Sequence, residues 1–196
     1  MIHNEYLDRT IAVGLYYKST LRYQGISNEL SRLIYELKSD LAPAPILGAA
    51  IYFVLKHSIY DLSINDIDYL TYVPKTLDEY KIDHESEDHY NQSRVLAGVI
   101  SSLSGLNIID LFIKKRPLSM RGLRRDERYQ KVIEVFDVNE GYCSIVSGKS
   151  IAIIDDTRTS GATGNTLAYK AKRIYGVHKV YLVVAGRTYF TRYDIF

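Results

Sequence analysis

The stretch from Ser150 to Gly176, SIAIIDDTRTSGATGNTLAYKAKRIYG, decides the fold. It begins as a short apolar run, Ile151 to Ile154, which ends in two adjacent aspartates, Asp155 and Asp156. A loop of small hydroxylated residues follows, and from Gly164 to Tyr175 the apolar positions return at helical spacing. A second apolar run, KVYLVVAG, comes directly after. Strand, helix and strand in this order, with both strands nearly continuously apolar, predict parallel strands buried on both faces.

The turn between that strand and that helix is where an open α/β sheet binds its ligands. The helix N-terminus presents unpaired N–H groups and the positive end of its dipole, so an anion is the natural occupant. Thr159, Ser160 and Thr163 add hydroxyl donors, and Gly161 permits both close backbone approach and a positive φ. Together with Ala162 these residues read as a phosphate cradle. The aspartates do not suit a phosphate, whose charge they would repel. They suit the vicinal hydroxyls of a sugar, or a neighbouring Mg2+, and a ribose 5′-phosphate would satisfy both halves of the stretch. The plainer alternative is that the acids cap the turn and the glycine serves a tight connection. A Walker A loop is excluded, because no lysine follows these glycines, and GYCSIVSGKS has six residues between Gly141 and Gly148 and precedes its strand.

Working outward, Gly25–Asp40 places Leu30, Leu33, Ile34 and Leu37 on one helical face, with Ser27 as a candidate N-cap. Residues 44–57 predict a more buried helix, Ile67–Val73 a strand stopped by Pro74, and Tyr90–Leu103 a third helix closed by Gly105. NIIDLFI and VIEVFDV read as two further short strands. The expected fold is α/β, a mostly parallel central sheet flanked by helices, in a single domain over 1–196. Residues 1–60 would form a helical elaboration and 61–190 the ligand-binding core.

Composition narrows the class of function. With 46% hydrophobic and 24% charged residues in 196, the chain is ordinary globular material, and a net charge of +2 argues for neither nucleic acid nor membrane as such. The single cysteine, Cys143, excludes an internal disulfide or a multi-cysteine zinc cluster. No run approaches the ~20 apolar residues of a membrane span, and the N-terminus has no apolar core of a secretory signal. A cytoplasmic setting without membrane attachment is expected. His3, His57, His84, His89 and His178 show no ligand spacing.

The thirteen residues IAIIDDTRTSGAT, Ile151 to Thr163, resemble the phosphoribosyl pyrophosphate (PRPP) fingerprint of type I phosphoribosyltransferases. LRYQGISNELSRLIYELK, YVPKT, HYNQSRVLA and KKRPLSMRGLRRDERYQKVIEVFDV occur in the order found in the ComF-like, competence-associated members of that family. The resemblance spans about residues 16–190. It implies a basic flexible lid, Asp155 and Asp156 as the catalytic pair on the ribose hydroxyls, and Thr159, Ser160, Gly161, Ala162 and Thr163 on the 5′-phosphate. It further implies Mg2+ as cofactor, PRPP and a nucleobase or other nitrogen acceptor as partners, and a homodimer. The activity implied is transfer of a phosphoribosyl group with release of pyrophosphate; the alternative is a PRPP-binding accessory protein without transfer.

Pro74, Lys75 and Thr76 resemble the family's pyrophosphate loop, although a plain strand-to-helix loop reads the same. Lys114–Lys131 carries eight Lys/Arg against two acids and corresponds to the lid, with Arg116, Arg121 and Arg128 as candidate pyrophosphate contacts. A solvated basic hairpin and a nucleic-acid contact are the lesser readings of that segment. The chain departs from the family in lacking a four-cysteine module, in Asp88-His89 ahead of Tyr90-Asn91-Gln92, and in Met120. Tyr189, Phe190 and Tyr193 are candidates to stack on an acceptor base, and equally to serve packing.

Overall fold

The computed structural model describes residues 6–18, 21, 25–76, 90–117 and 131–189. Four parallel strands make the central sheet: β1 (Arg9–Tyr16), β2 (Tyr69–Tyr72), β5 (Ser150–Arg158) and β6 (Lys179–Thr188), in the order β1-β6-β5-β2. Beyond β2, Ile108 makes a single parallel bridge to Leu70. Between β2 and β5 come α3 (Gln92–Ser104), α4 (Cys143–Val146) and a small antiparallel pair, β3 (Phe112–Lys114) with β4 (Phe136–Val138). Helices α1 (Glu29–Glu36) and α2 (Ala44–Lys56) follow β1, and α5 (Ala162–Tyr175) joins β5 to β6.

Side-chain alternation along β5 and β6 explains why both strands are apolar throughout. Ile151, Ile153 and Leu182 face Leu167, Ala168 and Ala171 of α5, whereas Ala152, Ile154 and Val183 face Ile34, Ile51, Leu96 and Ile100 on the side of α1, α2 and α3. With both faces covered, each strand residue must be apolar whichever way it points. The fold class expected from the sequence is the one observed: an α/β protein with a parallel sheet flanked by helices. Among the described residues no helix is long and apolar enough to cross a membrane.

Four local expectations are corrected. The N-terminal region is not helical throughout, because Arg9–Tyr16 is the edge strand, paired in register with β6 from Arg9↔Tyr181 to Tyr16↔Thr188. Asp8 anchors its entry, donating its N–H to Val180 O at 2.9 Å and accepting the Val180 N–H at 2.7 Å. The cap of α1 is Asn28, not Ser27; its carboxamide oxygen accepts from Ser31 N at 2.8 Å. NIIDLFI is mostly irregular, with regular strand only from Phe112. VIEVFDV is helical over residues 132–135 and extended only over Phe136–Val138.

Candidate functional site

Because all four strands run parallel, their C-terminal ends lie along one edge of the sheet. Val73 N donates to Ile154 O at 3.1 Å, so the chain leaves β2 into Pro74, Lys75 and Thr76 immediately beside Asp155. Pro74 and Thr76 are buried and Lys75 is half-buried. The N-terminus of α3 reinforces the junction. Asn91 accepts from Arg94 N at 3.2 Å as the helix cap, while its amide donates to Val73 O at 3.0 Å. Tyr90 donates its hydroxyl to Leu37 O at 2.8 Å, tying the same turn to the end of α1.

Ser93, two residues on, donates its hydroxyl to Asp155 Oδ1 at 2.8 Å. That oxygen also accepts the Asp156 N–H at 3.0 Å. Loss of hydration, followed by the charge of Asp156, drives the Asp155 carboxyl well above the usual carboxylate range, against the lowering effect of Ser93. Asp156 is held locally, accepting from Thr157 N at 2.7 Å. Two carboxylates side by side, one of them poorly hydrated, form a site that gains from hydroxyl donors or a cation.

The loop after β5 is built as a cradle. Gly161 is the N-cap residue of α5 at φ 75°, a left-handed conformation that disfavours a side chain, and the N-cap position itself supplies no side-chain acceptor. Ser160 accepts from Ala162 N at 3.4 Å. Gly164 lets α5 press on β6, since a Cβ there would stand 2.6 Å from Leu182 Cδ2. A cavity of about 150 Å³ opens between Asp155, Thr157, Arg158 and the turn Thr159–Gly164. The structure therefore gathers Asp155, Thr159, Ser160, Gly161, Ala162 and Thr163 around one space. Asp156 does not line it, nor do Pro74, Lys75 and Thr76, although their chain departs from the adjacent strand.

Arg116 lies on the β3–β4 side, in an exposed ion pair with Glu134 at 2.9 Å, and does not line this cavity. Arg121 and Arg128, with most of the expected lid, fall outside the described residues, as do Phe190 and Tyr193. Tyr189 packs against Tyr17, ring centroids 5.2 Å apart. Two residues the motif left variable or unmarked prove to be part of the site. Ser93 is legible only as the residue after Asn91-Gln92, and Arg158 occupies a variable position, yet its guanidinium lies close against Gly161.

No protein-family model matches this chain, and no curated protein matches it. Among solved structures, one similar chain is described as the structure of the allosteric regulatory enzyme of purine biosynthesis. It is 17% identical with a TM-score of 0.44, over 72% of this chain and 26% of that one. This chain thus spans about a quarter of that protein's length, and so slight a likeness says nothing about the site.

Proposed function

We propose that the chain is a phosphoribosyltransferase of type I, ComF-like in its sequence pattern, which binds PRPP at the end of β5 and transfers the phosphoribosyl group to a nitrogen acceptor. The observation that carries the reading is the juxtaposition of Asp155 with a helix N-terminus whose N-cap is a glycine at φ 75° with no side chain to cap it. An acid pair and an anion cradle on one short turn match a ribose and its 5′-phosphate, and few other ligands need both.

In the reaction, the acceptor nitrogen gives its lone pair to ribose C1 as the C1–O bond to pyrophosphate breaks. The bonding electrons leave with pyrophosphate, and the proton displaced from the nitrogen passes to solvent. The transition state is oxocarbenium-like. The chain's own part is to hold: Thr159, Ser160, Thr163 and the first N–H groups of α5 fix the 5′-phosphate. Asp155 and Asp156 accept from the ribose hydroxyls, and Ser93 orients Asp155. The backbone N–H groups of Lys75 and Thr76, with the Lys75 ammonium, would meet the leaving group. The acid pair also suits Mg2+ completed by substrate oxygens, which would neutralise charge on pyrophosphate.

Isothermal titration with PRPP and Mg2+, paired with a pyrophosphate-release assay over a panel of acceptors, tests the reading. Saturable PRPP binding that the double substitution Asp155→Asn, Asp156→Asn abolishes is expected, together with release by at least one acceptor. Binding unaffected by that substitution sinks the site. Binding without release for any acceptor leaves the accessory reading, to which Asp88-His89 and Met120 lean.

A further inference from the structure

Helix α2 is apolar on both of its sides. The inner side, Leu47, Gly48, Ile51, Val54 and Leu55, is buried, and Gly48 lies so close to α3 that a Cβ there would stand 2.6 Å from Val99. A helix at the surface of a globular protein turns polar and charged groups to water. On α2 the outer positions are instead Ile46, Ala49, the half-buried Ala50 and Phe53, and no charged side chain precedes Lys56. Ile46 is 58% and Phe53 56% exposed. Leu41, just ahead of the helix, and Ile59 and Tyr60, just after it, are exposed as well. Scattered apolar residues at a surface need no explanation, whereas a run of them along one helix face marks a contact surface.

We propose that this face is a two-fold interface between two copies of the chain, with α2 packed antiparallel on α2 of the second copy. The order of residues along the helix is self-complementary about one point. An axis between Ala49 and Ala50 sets Ile46 of each copy opposite Phe53 of the other. Small side chains at the crossing let the two helices approach to about 8 Å, and the large ones on either side fill the space left between them. The same axis puts Lys56, the one charge on α2, level with Pro43 of the second copy, close to Asp40 on the exposed turn that enters the helix. A parallel pairing would set Lys56 against Lys56, whereas the antiparallel one pairs opposite charges at both ends and opposes the helix dipoles. Leu41 of one copy then comes level with Ile59 of the other. That extension is needed, because a stable interface takes about 800 Å² from each partner, more than α2 supplies alone. Phe53 is preset as the anchor: the His57 ring packs on it with centroids 4.4 Å apart and limits its rotation before a partner arrives. None of these residues lines the cradle, so the interface is independent of what binds there.

Sedimentation equilibrium of the full chain, without PRPP, tests the interface. A reversible dimer with a dissociation constant of about 1 μM or tighter is expected. Phe53→Glu should weaken it at least about a hundredfold, because a two-fold contact loses each side chain twice. The far-ultraviolet circular dichroism of that variant should match the parent's, since the side chain is exposed in the single chain. Lys56→Glu should weaken the dimer about tenfold, and adding Asp40→Lys should restore most of the loss. A parent that stays monomeric at the highest concentration reached overturns the inference and leaves the face to a partner of another kind. A dimer that Phe53→Glu leaves intact overturns it by placing the contact elsewhere, and a charge exchange that rescues nothing overturns the antiparallel register.

Discussion

Ser93 Oγ stands 2.8 Å from Asp155 Oδ1, which makes the second turn position of α3 the support of the first aspartate on β5. A hydrogen bond to a carboxylate is worth about 1.5–3 kcal/mol when buried. Ser93→Ala is therefore expected to lower stability by about 1–2 kcal/mol at a pH above the raised Asp155 value, with a smaller loss near pH 4, where the protonated acid needs its partner less. Urea unfolding at the two pH values checks this. Equal losses at both would assign Ser93 to helix packing alone. In titrations, the same substitution should weaken PRPP while Ser93→Thr keeps most of the affinity.

Asp155 itself costs the fold stability. Its carboxyl is held above the value of an unfolded aspartate, near 4, chiefly by lost hydration and then by Asp156. The folded state thus holds this proton more tightly than the unfolded state, and stability falls as pH rises from about 4 through the folded value. Asp155→Asn removes the penalty. It should raise the melting temperature at pH 7 to 8 by about 2–4 °C for each kcal/mol recovered, with the gain vanishing near pH 4, while PRPP binding is lost. A variant less stable than the parent at pH 8 would contradict the burial argument.

Legibility in the sequence followed how local each determinant is. Strand β5, its cradle and α5 are written in consecutive residues, because a strand, a positive-φ glycine and a helix dictate one another over short range. Strand β1 is not legible in that way: Arg9–Tyr16 is a half-exposed edge whose pairing partner, β6, lies at the other end of the chain. The run Val132–Val138 shows the limit of apolar patterning, since its first residues are buried as helix and its last as strand. Ser93 carries no motif of its own and acquires meaning only when the fold brings α3 against β5.

Asn91 joins two elements through one carboxamide, capping α3 and holding Val73 O at the mouth of the 74–76 loop. Asn91→Ala loses a cap worth about 1 kcal/mol and leaves a carbonyl in a buried setting without its donor, which costs about 1–3 kcal/mol more. Asn91→Asp should recover the cap but not the bond to Val73. The two variants consequently separate helix stability from loop placement. If the loop meets pyrophosphate, the KM for PRPP rises in both variants while unfolding midpoints diverge. Identical KM values in parent and variants would remove the 74–76 loop from the donor site.

Gly161 is the sharpest test of the cradle, because its conformation and its surroundings make separate demands. At φ 75° an alanine is disfavoured by about 1–2 kcal/mol, and its Cβ would come 2.8 Å from Arg158 Nε. The guanidinium can shift, so the protein is expected to fold with a loss of about 1–2 kcal/mol. The displaced Arg158 borders the cavity of the cradle, and the turn that presents the first N–H groups of α5 is deformed with it. Gly161→Ala should accordingly weaken PRPP at least about tenfold, well beyond what its stability loss explains. Inorganic phosphate, a ligand of the cradle alone, should lose affinity by the same factor. A variant that still binds phosphate like the parent would place the 5′-phosphate elsewhere than at the start of α5.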